Sequence, residues 1–374
     1  MSRIRTIYAN EALLVGPSPA TGVHSPSTIK KLHRVQTIAN SFKYAMQDVN
    51  EYGKLAAIDR VNIDGSESTL DFDYFVTDFE NEKNLGFDIS STGNALGSIA
   101  QKTQQDKNYF RFVAPEGVDA DNLGPTGGAV LGIGNGFISS YGFEAAVGSF
   151  PTATLSVLGL NAASSVDGNA KPIPAIDPTT GRKASGTFTL PTIPESSAGK
   201  PSVIAPGDVK VTFSNPNAGL FSALDSTLNV QSVKFNFDLN LETLQKLGAR
   251  LAISKEIKYP IEISLSLEAL ANDLTATTGL IDFLCATPST NITIDLYKST
   301  CDANGPTSTS ADIYAKYIIK NAKLSSQDLS GSIGPSNTVS MQFTSQVGAS
   351  NDANNGLFFS GVTGYSGTTG LKSL

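Results

Sequence analysis

Residues Val35–Asp78, VQTIANSFKYAMQDVNEYGKLAAIDRVNIDGSESTLDFDYFVTD, occur twice in this chain. Laid on Val230–Asp273 at a constant offset of 195 with no gap, Val35-Gln36 meets Val230-Gln231, Phe42 meets Phe237 and Gly53 meets Gly248. Ala57-Ile58 meets Ala252-Ile253, Leu70 meets Leu265 and Asp78 meets Asp273. The side-chain period agrees as well. Ile38, Phe42 and Tyr44 alternate with polar residues, and Val233, Phe235, Phe237 and Leu239 do so in the same phase. Leu70 and Phe72 are matched by Leu265 and Leu267. Period-two apolar spacing marks a half-buried strand, so both copies bury the same face. Val61 and Ile63 fall on Glu256 and Lys258, which suggests a local slip of register between the strands.

A second block repeats further on. Ile138-Ser139-Ser140 meets Leu324-Ser325-Ser326 at an offset of 186, where Phe143 meets Leu329 and Thr152 meets Thr338. Ala153, Leu155 and Val157 then meet Val339, Met341 and Phe343. Ahead of the first block, Pro19 and Gly22 match Pro216 and Gly219 at an offset of 197. Blocks in one order with small changes of offset read as a tandem duplication. The expected organisation is a first domain at 1–165, a Pro-, Ser- and Gly-rich linker at 166–207, a second domain at 208–347 and a Gly- and Ser-rich tail at 348–374. A half of about 150 residues buries roughly two-thirds of its unfolded surface, so neither half needs a metal or a disulfide.

The bulk numbers favour a turn-rich β protein. Of 374 residues, 40% are hydrophobic and only 16% charged, with 34 glycines. A net charge of −7 argues against a surface that coats nucleic acid. The first fifteen residues include Arg3, Arg5 and Glu11 and no useful apolar run, so no secretory leader is expected. No stretch approaches the length of a membrane span, and no membrane insertion is expected. Cys285 and Cys301 flank a strand-like run, Asn291–Tyr297; for a cytosolic product two reduced thiols are expected.

Between the repeated strands, Ala45–Ile58 and its counterpart Asn240–Ile253 are too polar for core and too long for a tight turn. Leu241, Leu244, Leu247 and Leu251 also sit at helical spacing, so loop and short helix both fit the second copy. Phe79–Ser91 has room for a short helix, and Ala95–Lys107 and Leu280–Leu284 are expected to be helical. Phe137–Val147 and Thr152–Leu158 read as a hairpin around Gly148 and Pro151. Gly124–Gly136 lacks both the ending of a phosphate loop and a following helix, and is expected to be a turn-rich loop.

Nothing points to catalysis. His24 and His33 are the only histidines, neither has a counterpart in the second copy, and surface positions are expected for both. Ser27-x-x-Lys30 lacks the companion motifs of the enzymes that use that spelling. Asp71 and Asp73 alternate with Leu70 and Phe72 and belong on a solvated strand face. No enzymatic activity, cofactor or metal is expected.

Arg34-Val35-Gln36, Gln47-Asp48-Val49-Asn50-Glu51-Tyr52-Gly53 and Ala56-Ala57-Ile58-Asp59-Arg60-Val61 resemble the major tail, or tail tube, proteins of tailed bacteriophages. So do Tyr141-Gly142-Phe143-Glu144-Ala145-Ala146-Val147-Gly148 and Thr154–Asn161. The resemblance covers most of the first half and reaches the second through the repeat. It implies a mainly β fold of two tandem tail-tube-like β-sandwich or β-barrel domains, each with a short flanking helix. Such subunits form rings that stack into a tube, with an extended loop contacting the adjacent ring. By position that loop would hold Gln47, Asp48, Asn50, Glu51, Tyr52 and Gly53, and in the second copy Glu242, Gln245, Lys246 and Gly248. The duplication suggests trimeric rings with pseudo-sixfold symmetry. Implied partners are further copies of the chain, other tail proteins (tip, terminator, a possible sheath), and the tape measure protein and viral DNA within the lumen. The implied location is the virion tail, assembled in the bacterial cytoplasm. An acidic wall would keep DNA from sticking, with Asp71, Asp73 and Glu268 as candidates. A tail-tip or baseplate ring and a capsid decoration protein are the alternatives within virions. Outside them stands a secreted carbohydrate-binding β protein, against which the lack of a leader and of tryptophan argues.

Overall fold

The computed structural model describes residues 7–18, 28–63, 67–90, 93–101, 106–115, 118, 120, 128–166, 171–172, 174–177, 179–184, 187–188, 203–214, 229–249, 251–270, 288–297, 300–302, 305–307, 313–331 and 337–361. The fold is mainly β, and two α-helices occur among the described residues. The first copy begins with β1 (Glu11–Pro17), β2 (Lys30–Lys31), β3 (Val35–Lys43), β4 (Met46–Val49), β5 (Asp59–Asn62) and β6 (Glu67–Phe75). Helices α1 (Glu80–Leu85) and α2 (Gly97–Ala100) follow, then β7 (Asp106–Val113), β8 (Ala129–Ala146), β9 (Thr152–Gly159) and β10 (Asn161–Val166). Four short strands come next: β11 (Lys171–Pro172), β12 (Ile176–Asp177), β13 (Arg182–Lys183) and β14 (Thr187–Phe188). The second copy holds β15 (Val209–Phe213), β16 (Val230–Asp238), β17 (Leu241–Leu244), β18 (Ser254–Ile257), β19 (Glu262–Leu270) and β20 (Ser289–Tyr297). It ends with β21 (Thr300–Asp302), β22 (Gly305–Thr307), β23 (Ile313–Ser330), β24 (Thr338–Gln346) and β25 (Gly356–Gly361).

The offset of 195 holds through four successive strands: β3 and β16, β4 and β17, β5 and β18, β6 and β19 have bounds that differ by that number. The suspected slip is therefore absent. Val61 and Ile63 differ in character from Glu256 and Lys258 because β5 is exposed on both faces, so no burial pattern constrains its letters. A bulge leaves Gln36 unpaired between Val35 and Thr37, and another leaves Gln231 unpaired between Val230 and Ser232. Each amide donates to the carbonyl two residues back, Arg34 and Asn229. The second block repeats as closely. Ser139 and Ser325, offset by 186, are both bulged out, and each hydroxyl donates to a carbonyl on the partner strand, Ser156 at 3.1 Å and Gln342 at 3.0 Å. Asn135 and Asn321 share a left-handed φ, 48° and 54°. These features kink the two 18-residue strands, β8 and β23.

The kink lets each long strand serve two sets of partners. The first half of β8 pairs with β10 on one side and on the other with β7, beyond which β1 and β2 follow in turn. The first half of β23 pairs in the same way with β25 and with β20, beyond which β15 follows. The second half of β8 pairs with β9 on one side and with β16, the opening strand of the second copy, on the other. The result is one antiparallel path, β3-β6-β9-β8-β16-β19-β24-β23, running through both copies. One core lies beneath it, with Leu70, Phe72, Tyr141 and Phe143 joined to Phe235, Leu265, Tyr317 and Phe359.

Several expectations are corrected. Asn240–Ile253 is neither a helix nor a plain loop. β17 and β18 form a hairpin, as β4 and β5 do. Its turn needs a positive φ, which explains the shared glycine: Gly53 sits at 86° and Gly248 at 88°. Among the described residues of Ala95–Lys107, α-helix covers Gly97–Ala100, and a strand opens at Asp106. Ala129–Gly136 is strand rather than loop. Its glycines let the Pro174 segment cross closely, since a Cβ on Gly134 would lie 2.2 Å from the Pro174 carbonyl oxygen. Within the Pro-rich stretch, Ala175 and Ile176 are buried rather than solvated. His24, Cys285 and the expected helix at Leu280–Leu284 lie outside the described residues.

Candidate functional site

Strand alternation gives the eight-strand path two unlike faces. Below lies the core. Above are short polar side chains, with Thr69, Asp71 and Asp73 on β6, Thr154 and Ser156 on β9, and Ser264, Ser266 and Glu268 on β19. Acids outnumber bases there. Glu67, Asp71, Asp73, Glu144, Asp238, Glu262, Glu268 and Asp328 share the face with Lys43, Lys234 and Lys323, and Lys234 is bridged to Glu144 at 3.3 Å. Cross-strand hydroxyls steady the carboxylates. Ser156 donates to Asp71 at 2.6 Å, and the Thr37 hydroxyl donates to Asp73. Partial burial pushes the Asp73 carboxyl above the ordinary aspartate range, against the opposing pull of its own backbone N–H. The structure thus brings Asp71, Asp73 and Glu268 onto one surface.

The two ends of the path are open among the described residues. β3 pairs with β6 alone, and the second half of β23, from Leu324 on, pairs with β24 alone. Phe42 on β3 and Leu329 on β23 are each 43% exposed, unusual for aromatic and aliphatic strand residues. The middle of the path shows what these edges lack. Across the β8–β16 joint Phe235 faces Phe143 and Phe237 faces Tyr141, with ring centroids 5.5 Å and 5.7 Å apart. The Leu239 N–H donates to the Ser139 carbonyl and the Val147 N–H to the Gln231 carbonyl, so odd-numbered β16 residues turn their peptide groups toward β8. β16 is the repeat of β3 and β8 the repeat of β23, so the two open edges correspond by offset to the two strands of the β8–β16 joint. Carried over by the offsets, Phe42 would face Gln327, Asn40 would face Leu329, and Lys43 would lie diagonal to Asp328.

The expected loop residues lie on the hairpins. Gln47 and Asp48 are on β4, Asn50, Glu51, Tyr52 and Gly53 lead into its turn, Glu242 is on β17, and Gln245, Lys246 and Gly248 are at the second turn. Asp48 is held by Arg60, Glu51 by Lys54 at 2.9 Å and Glu242 by Lys258 at 3.5 Å. Both turns are bare, with Tyr52, Leu55 and Leu247 fully exposed. His33 is half-buried, its ring 3.9 Å from Glu80.

Sequence reasoning missed a buried acid. Glu82 on α1 is fully buried, and its Oε1 accepts from the Tyr74 hydroxyl at 2.8 Å and the Tyr141 hydroxyl at 3.2 Å. The Tyr141 and Tyr317 hydroxyls are 3.0 Å apart, which ties the acid to the second copy. Burial pushes the Glu82 carboxyl up to about 8, outweighing the tyrosine hydrogen bonds that favour its charged form. Neither the acid nor the tyrosines are arranged around an open site. Among the described residues, no group of three or more His, Cys, Asp or Glu is placed to hold a metal ion, and no helix is long and apolar enough to cross a membrane.

The geometry defines a mainly β protein with a broad polar sheet face and, among the described residues, an open edge at each end of the path. No protein-family model matches the chain, and no curated protein does. Among solved structures 16 chains match. One, from the cryo-EM structure of the anti-feeding prophage baseplate with sixfold symmetry applied, is 13% identical with a TM-score of 0.25. That overlap is local: it covers 41% of this chain and 92% of the other.

Proposed function

We propose that this chain is the repeating subunit of a phage-type tail tube, closing into rings through its two open sheet edges. One observation carries the reading. The β8–β16 joint is already formed inside the chain, and β3 and the second half of β23 are its unformed repeat. Open edges attract other strands, and here a head-to-tail contact between identical chains satisfies both at once. Three chains would supply 24 strands from the eight-strand path. With strands about 4.8 Å apart and tilted about 40°, such a barrel is about 48 Å across its backbone, leaving room for a DNA duplex. The polar face would line it. Its excess of carboxylates disfavours adhesion of phosphates, as passage without binding requires. Both hairpins leave the sheet at the same end, because β3 and β16 run in the same direction, and their bare turns would meet the next ring.

Negative-stain electron microscopy of the concentrated chain tests this. Long hollow tubes with a regular repeat and threefold rings of pseudo-sixfold outline are expected. Single rings that never stack would move the assignment to a tail-tip ring. A ring with the mass of six chains would refute the trimer, and a chain that stays monomeric at all concentrations would refute ring formation.

A further inference from the structure

The two hairpins have the same bounds at an offset of 195, yet they live in different surroundings. The arm that follows the second turn packs on the first copy. Ala252 is buried with Phe137, Leu160 and Ile176, and Lys255 reaches across to Glu67 at 3.4 Å. Among the described residues the same arm of the first hairpin makes no such contact, and Ala57 is exposed. The Lys255 side chain is 4% exposed and that of its counterpart Arg60 is 65% exposed.

The surface that would receive the first hairpin is present and open. The counterparts of Glu67, Phe137 and Leu160 are Glu262, Lys323 and Gln346, and these line a cleft of about 450 Å³. Its lining is more polar than that of the occupied site, with Lys323 and Gln346 where Phe137 and Leu160 stand, but an asparagine at the same place holds a bordering segment in each. Asn135 accepts from the Ile176 N–H at 2.6 Å and so fixes the segment that covers the second hairpin. Asn321, its counterpart, donates to Asn355 at 2.6 Å and fixes the Asp352–Asn355 loop that borders the cleft.

The charges repeat as well. Glu262 is identical to Glu67, and Arg60 keeps the positive charge of Lys255. Lys255 is also held by Thr243 on its own hairpin at 3.0 Å, and Arg60 is held by Asp48, the residue at the Thr243 position. A cation steadied by its own hairpin and aimed at a glutamate of the neighbouring copy is thus complete once in the chain and half-made once.

We propose that the arm Ala56–Arg60 of one chain seats in the Glu262–Lys323–Gln346 cleft of the next chain in the same ring, with Arg60 paired to Glu262. The inference rests on the ring reading above and refines the role of the hairpin: its arm clasps sideways while its turn stays free. The occupant is a second copy, because the only segment whose sequence and offset match the seated β17–β18 arm is the β4–β5 arm, and in its own chain that arm is exposed.

Mixed cysteine variants test the proposal. One full-length chain carries Ala57→Cys, a second carries Gln346→Cys, and both carry Cys285→Ser and Cys301→Ser. Mixed under mild oxidation, at a concentration where electron microscopy shows single rings, they should give a cross-linked dimer of chains on a non-reducing gel. Neither variant alone should do so. Rings without the cross-link would overturn the clasp and leave the ring reading standing. A cross-link found only in stacked tubes would assign the arm to the adjacent ring and likewise overturn it. Failure to form rings with the unmodified chain would overturn both. Independently, Arg60→Gln or Glu262→Gln should each raise the concentration needed for ring formation about tenfold, and the double variant should lose little more than either alone. Additive losses in the double variant would contradict the pairing.

Discussion

Glu82 offers the sharpest test of the core. Its carboxyl is fully buried beneath the sheet and is pushed from the ordinary 4.5 to about 8. The fold therefore favours the protonated acid. The contribution of this group is fully present below the unfolded value of 4.5. It is lost progressively as pH rises toward 8, where the folded state must also give up the proton. The whole span corresponds to about 5 kcal/mol. Replacement by glutamine keeps an oxygen for Tyr74 and Tyr141 and removes the titration. It also puts an amide NH2 where the Glu82 Oε2 has no hydrogen-bond partner, at about 1–3 kcal/mol. Between pH 5 and pH 8.5 about 4 kcal/mol of that span is lost, so Glu82→Gln should be less stable than the unaltered chain at pH 5 by about 1–3 kcal/mol and more stable at pH 8.5 by about 1–3 kcal/mol. Urea unfolding of the dispersed chain gives the comparison, followed by tyrosine emission because the chain has 11 tyrosines and no tryptophan. The difference between the two proteins cancels the histidines, which both carry. Parallel stability profiles from pH 5 to 8.5 would refute the buried, protonated acid.

Three further outcomes are expected. Phe42→Pro removes an N–H from the open edge of β3 and should leave the monomer folded by circular dichroism while raising the concentration for ring formation at least about tenfold, as sedimentation velocity would show. Gly134→Ala forces a methyl against the Pro174 carbonyl and should cost about 1–3 kcal/mol, read as a lower thermal midpoint. Asp71→Asn, Asp73→Asn and Glu268→Gln together should change stability by less than about 1 kcal/mol, since all three sit on the solvated face, yet slow DNA release from assembled particles. Unchanged release would leave the acidic wall without a role.

The sequence made much of the framework legible because the path strands are buried on one face only. Leu70, Phe72 and Tyr74 must alternate with Asp71 and Asp73, and the same constraint shaped Ile263, Leu265 and Leu267. Where burial differed, the letters misled. Leu241, Leu244, Leu247 and Leu251 imitate a helix, but they belong to two arms and a turn, and Leu247 is fully exposed. Gly132 and Gly134 look like a loop because the reason for them, a crossing segment about forty residues further on, is invisible in a local window. The open edges were equally hidden. Nothing in the letters of β3 and β16 tells which has one neighbour and which has two; only the pairing does. Glu82 gave no signal at all, since a glutamate between Asn81 and Lys83 reads as a solvated helix face, and its burial comes from tyrosines on three distant strands.

The two hairpin turns carry different residues, Tyr52-Gly53-Lys54 in one and Leu247-Gly248-Ala249 in the other. On the rim of any closed ring of these chains they would alternate, aromatic and charged, then aliphatic. A second ring placed on that rim would find only every other angular position equivalent. A tube of single-copy subunits has no such restriction. Here the duplication would halve the permitted azimuths, so that each added ring would take from the one beneath the order in which its two kinds of turn alternate.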